Sequence, residues 1–118
     1  MRRLEGPELA SYDLDPELAQ RVRIVRVPFL APGTAGMTIG RFVFLTSDVD
    51  RNGERELLAH ELVHVRQYAQ AGLVSFLVRY LRDYLHGLVR LKSHRQAYLA
   101  IPTEVEARAE ARAWKRRR

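Results

Sequence analysis

The stretch from Glu54 to Gln70 constrains the chain most. Asn52-Gly53 breaks regular structure before it and Gly72 stops it. Between these breaks Leu58, Leu62, Val65 and Ala69 recur at the spacing of one helix face. The segment therefore reads as an amphipathic helix with one side claimed by a core. Nearly opposite that apolar stripe sit His60 and His64, in the pentad His60-Glu61-Leu62-Val63-His64. On a helix, positions i and i+4 lie one turn apart on the same face. Two imidazoles so placed can reach one cation at roughly 2.0–2.1 Å. The residue after the first histidine points about 100° away. Glu61 is thus placed to act on water beside the cation without ligating it.

A third ligand is required, because a catalytic zinc takes three protein ligands and keeps one position open. The chain contains no cysteine, so thiolate sites, disulfides and cysteine-ligated clusters are excluded. The ligand must come from His, Asp or Glu. His86 and His94 are the remaining histidines, and each also suits a surface or capping role. The acidic candidates lie in Pro102-Thr103-Glu104-Val105-Glu106-Ala107, which opens the last helix. If Thr103 is the N-cap, Glu106 completes a capping box, and Glu104 is left free to face the cation. Glu104 is therefore the favoured ligand and Glu106 the second choice. Tyr98, His94 and Tyr68 are candidates for a donor that steadies a developing oxyanion.

Around the site-bearing helix the chain resolves into short elements. Asp13 or Asp15 before Pro16 announces a helix to about Arg21. The alternation in Arg21 to Val27 predicts a strand with one wet face, ended by Pro28. Ala31 to Gly36 is rich in turn residues, and Ile39 to Leu45 predicts a second strand. The two strands are expected to pair as an antiparallel hairpin with a long connection. A helix follows over Val74–Leu91, with an apolar stripe of Leu77, Leu81, Tyr84, Leu88 and Leu91 opposite Arg79, Arg82, Asp83, His86 and Arg90. That stripe is expected to pack on the site helix. Helical stretches from Ser93 and from Thr103 to Arg117 complete a single α+β, mainly helical domain over residues 1–118.

The net charge of +6 favours anionic partners in general. It keeps in view a basic protein that binds nucleic acid, or one whose amphipathic Val74–Leu91 helix lies on an anionic membrane surface. No apolar run is long enough to span a bilayer and Met1 to Pro7 contains no signal-like apolar stretch, so the expected location is the cytoplasm.

With its pentad and later glutamate, the chain resembles a gluzincin, the zinc-peptidase group that combines HExxH with a distant glutamate. Glu104-Val105-Glu106-Ala107-Arg108 is similar to the E-x-x-A-D segment of the membrane-bound CAAX-prenyl and heat-shock peptidases, with Arg108 in place of the aspartate and without their transmembrane helices. The chain as a whole resembles short actinobacterial proteins of about this length. The resemblance implies a minimal zincin-like domain, Zn2+ held by His60, His64 and Glu104, and Glu61 as general base. It also implies an extended peptide or protein substrate lying along a strand, for which Ile39 to Leu45 is the expected partner. Two other functions fit the same residues: a zinc-binding or partner-binding module without catalysis, and the basic binding protein above.

Overall fold

The computed structural model describes residues 1–118 as an α+β domain of six helices and a three-stranded sheet. In chain order these are α1 (Gly6–Ser11), α2 (Pro16–Arg21), β1 (Arg23–Arg26), β2 (Gly36–Ile39), β3 (Phe42–Leu45), α3 (Glu56–Ala71), α4 (Leu73–Leu91), α5 (His94–Ala100) and α6 (Pro102–Arg116). No helix is long and apolar enough to cross a membrane.

The sheet corrects the expected hairpin. Its order is β1-β3-β2. β2 and β3 form the antiparallel pair, with Met37 opposite Phe44 and Thr38 opposite Val43. Gly40, at φ 63°, makes the tight turn between them. β1 instead pairs parallel with β3, Ile24 beside Val43. β2 falls where the composition suggested the end of a loop. β3, expected to offer a free edge, is bonded on both sides, and β2 and β1 are the edge strands.

The core lies between the sheet and two helices. Ile24, Val43 and Leu45 meet Leu58, Leu62 and Val65 of α3, whose other flank receives Ala111 and Trp114 of α6. All eight of these residues are buried. Fully burying one Val or Leu side chain contributes about 1.5–3 kcal/mol, so this layer fixes α3 on both sides. The fourth residue of the stripe, Ala69, is exposed at the end of the helix. The far end of α6 is tied to the N-terminal segment: Trp114 Nε1 donates to the Ser11 carbonyl at 2.8 Å and its ring packs on Tyr12 at 5.0 Å. A second tie joins Arg2 to Glu8 and Asp48, all three largely shielded from water.

α4 also departs from expectation. Gly72, at φ 85°, ends α3 and starts α4 without a loop. The face that packs inward carries Phe76 and Gly87, with Tyr80 half-buried between them. Leu77 and Leu81, read as a core stripe, are exposed. The helix is apolar over two arcs, and the aromatic arc is the one that packs, against Tyr68 of α3.

Candidate metal and catalytic centre

Three elements converge at the site. α3 supplies His60, Glu61 and His64, α6 supplies Glu104 from its first turn, and β2 backs Glu61. The α3–α6 packing brings Nε2 of His60 to 3.0 Å and Nε2 of His64 to 3.1 Å from the same oxygen, Glu104 Oε1. These three atoms can hold one metal ion between them. Ligands at about 2.05 Å around a tetrahedral centre stand about 3.3 Å apart, close to the two histidine–Glu104 distances, and all three atoms lie within 4.8 Å of one another. Two imidazole nitrogens with one carboxylate oxygen also make a donor set suited to zinc. The residues therefore fit such an ion.

The shell behind the ligands sets their orientation. Gln67 Nε2 donates to the Thr103 carbonyl at 3.1 Å and to Glu106 Oε1 at 3.0 Å. Both partners only accept, so the amide orientation is fixed and its oxygen faces His64. That oxygen lies 2.7 Å from His64 Nδ1, which must then carry a proton and donate. Nε2 is left to face Glu104, as a ligand's lone pair would. Tyr80 donates its hydroxyl proton to Glu104 Oε2 at 2.8 Å and so turns Oε1 toward the two imidazoles.

Charge follows this geometry. Burial acts to raise the Glu104 pKa, but the hydrogen bonds from His60, His64 and Tyr80 outweigh it and hold the carboxyl well below the usual range. Burial likewise acts to lower the His64 pKa, and the bond and charge of Glu104 reverse the direction to upward.

Glu61 is buried on the β2 side. Thr38 donates to its Oε1 at 2.8 Å. Gly36 lies so close that a Cβ there would stand 3.1 Å from Oε2. Burial pushes the Glu61 carboxyl upward, against the pull of the two imidazoles and the Thr38 bond. A cleft of about 390 Å³ opens beside it, lined by Gly33–Gly36, Leu57, His60, Glu61, Tyr98 and the α6 arginines Arg108 and Arg112, among others.

Of the residues singled out for this site, the structure brings together His60, His64, Glu104, Glu61 and Tyr98. The Tyr98 hydroxyl stays protonated, its pKa raised by burial and by the nearby Glu104 and Glu61 charges. His94 is elsewhere. It is exposed at the start of α5, its Nδ1 paired with the Tyr84 hydroxyl at 2.7 Å, and it does not line the cleft. Tyr68 is buried against Phe76, with its pKa pushed up to about 12 by burial and by Glu104 and Glu61. His86 is exposed on α4. Glu106 is no ligand and completes no capping box, because α6 starts at Pro102 with Ile101 as its N-cap. It bonds Gln67 and Arg66 instead. Sequence reasoning missed Tyr80 and Gln67. The signal for Gln67 was its place three residues after His64 on the same helix face.

Residues 28–72 match the family model of the eCIS core domain. The match is less than half of the chain. It covers β2, β3 and α3, including His60, Glu61 and His64, and stops short of Glu104. No curated protein and no solved structure matches the chain.

Proposed function

We propose that the protein is a zinc-dependent peptidase in which His60, His64 and Glu104 hold the ion and Glu61 is the general base. The observation that supports it most is the meeting of both Nε2 atoms on Glu104 Oε1, with the buried Glu61 carboxylate beside them. The eCIS core match covers two of the ligands and the base, and its name states no reaction.

A zinc ion in that position supplies Lewis acidity, polarising a carbonyl and lowering the pKa of water beside it to about 7. The chain's own groups do the rest. Thr38 holds Glu61 by a hydrogen bond and Gly36 leaves it the room a side chain would take, so its carboxylate meets the incoming water in one orientation. Burial raises its basicity toward the range useful at neutral pH. Glu61 takes the proton as water attacks the peptide carbonyl and passes it to the leaving amine. Tyr98 lines the same cleft with its phenol protonated, which suits it to donate to the oxyanion. The outer edge of β2 has no strand neighbour and its first residue lines the cleft, so an extended peptide can add there by backbone pairing.

The test combines metal content with turnover. Purified protein is expected to bind about one zinc per chain, by mass-spectrometric metal analysis. His60→Ala should lose it. Glu61→Gln should keep it and fail to cleave an unstructured peptide. A parent protein that binds zinc and cleaves nothing in a broad peptide library is a binding module instead. Glu61→Gln cleaving as fast as the parent removes the catalytic assignment.

A further inference from the structure

We infer that Arg108 and Arg112 make the cleft selective for a carboxylate on the substrate, borne close to the bond presented to Glu61. The inference rests on the peptidase reading and narrows its substrate to anionic peptides.

α6 carries Glu104, Arg108 and Arg112 at successive intervals of four residues, so one helix face presents the ligand and then two cations. Both arginines line the cleft that His60 and Glu61 border. Several other arginines of this chain pair with acids, whereas Arg55 bonds the Ser47 carbonyl and leaves its Nη1 shielded without an acceptor. Arg2 meets Glu8 and Asp48, Arg51 meets Glu5 and Asp48, Arg66 meets Glu106 and Glu110, and Arg117 meets Asp13. Arg108 and Arg112 form no ion pair. Glu56 shares the cleft and bonds neither of them.

Arg108 is only partly satisfied. Its Nη2 donates to the Leu99 carbonyl at 2.6 Å, while its Nη1 is shielded from water with no acceptor. A shielded donor on a charged group without a partner is costly, and groups of this kind call for an explanation. Like charges one helical turn apart also repel. A carboxylate seated between the two arginines relieves that repulsion, and the planar guanidinium fork suits that ligand.

The carboxylate has two possible sources, an Asp or Glu side chain and a peptide C-terminus. The experiment uses the full chain carrying Glu61→Gln, so that peptides bind without turnover. Fluorescein-labelled alanine-rich heptapeptides carry either glutamate or glutamine at the centre, each with a free or an amidated C-terminus. Anisotropy titrations run with zinc and again after chelation.

At least one carboxylate form is expected to bind about tenfold tighter than its neutral counterpart, the ratio that one charge-assisted hydrogen bond gives. A preference for central glutamate assigns the site to a side chain; a preference for the free terminus assigns it to the chain end. Arg108→Gln should remove the preference, with zinc content unchanged. Arg112→Gln sits on an exposed residue that anchors no backbone, so it tests the same site without threat to the fold, and it should reduce the preference several-fold. Equal binding of all four peptides, or an unchanged preference in both arginine variants, overturns the inference. A preference that persists in protein unable to hold zinc upholds the anion site while the peptidase reading falls. Cleavage by the parent with no charge preference does the reverse.

Discussion

Replacing Gln67 by leucine should weaken zinc binding more than it disturbs the fold. Gln67 makes three hydrogen bonds, to His64 Nδ1 at 2.7 Å, to the Thr103 carbonyl at 3.1 Å and to Glu106 at 3.0 Å. Leucine fills similar volume and makes none of them. Loss of the bond to Nδ1 frees the ring to turn or to change tautomer, and partners of this kind are worth about 10–100-fold in metal affinity. That range corresponds to about 1.4–2.7 kcal/mol. The lost bonds to α6 cost the metal-free fold about 1–2 kcal/mol. Gln67→Glu separates the two effects. It keeps an acceptor for Nδ1–H but cannot donate to Thr103, and it faces Glu106. It should bind zinc within a few-fold of the parent while melting lower in EDTA. Competition with a chromophoric chelator measures the affinity, and thermal unfolding in EDTA measures the fold. The reasoning about His64 is refuted if Gln67→Leu holds zinc as tightly as the parent.

Two further outcomes follow from contacts described above. Gly36→Ala should place a methyl 3.1–3.3 Å from the Glu61 carboxylate, which Thr38 prevents from yielding freely; hydrolysis should fall about tenfold or more, since small misplacements at a reacting centre are expensive, with zinc content unchanged. Asp48, held below the usual carboxylate range chiefly by the hydrogen bond from Arg2, contributes stability that is complete above the unfolded aspartate value of about 4 and is lost as pH falls through its depressed folded value. Melting temperature should therefore drop as pH is lowered from about 5 to 3, and Asp48→Asn should start lower and fall less steeply.

The site helix was legible in the sequence because its two periodicities agree. Leu58, Leu62 and Val65 demand a core on one side, and the imidazoles share the other. Glu104 was legible as a first-turn residue of the last helix, but the capping argument that set it apart from Glu106 fails, because the cap is Ile101 and Glu106 completes no box. The sheet was harder. Alternation in Arg23–Arg26 tells which side chains are buried but not which strand lies alongside, so the parallel β1–β3 pairing carried no local mark. β2 begins with glycine inside a turn-rich stretch, and its burial comes from α3, a tertiary contact. On α4 the aliphatic arc through Leu77 and Leu81 outnumbers the arc through Phe76 and Tyr80. Periodicity cannot say which of two apolar arcs will find a neighbour, and so Tyr80, which holds Glu104, was passed over.

His64 and Glu104 stand 40 residues apart in sequence, and all of α4 and α5 lies between them. An ion gripping both ends would act as a clasp on a long loop, and its binding free energy would add to the stability of the fold. Doubling the length of such a loop costs only about 0.6 kcal/mol. The span between the halves of the centre is thus cheap to lengthen or rebuild, provided that Phe76, Tyr80 and Tyr98 stay in place, whereas a one-residue slip of α6 along α3 would open the clasp outright.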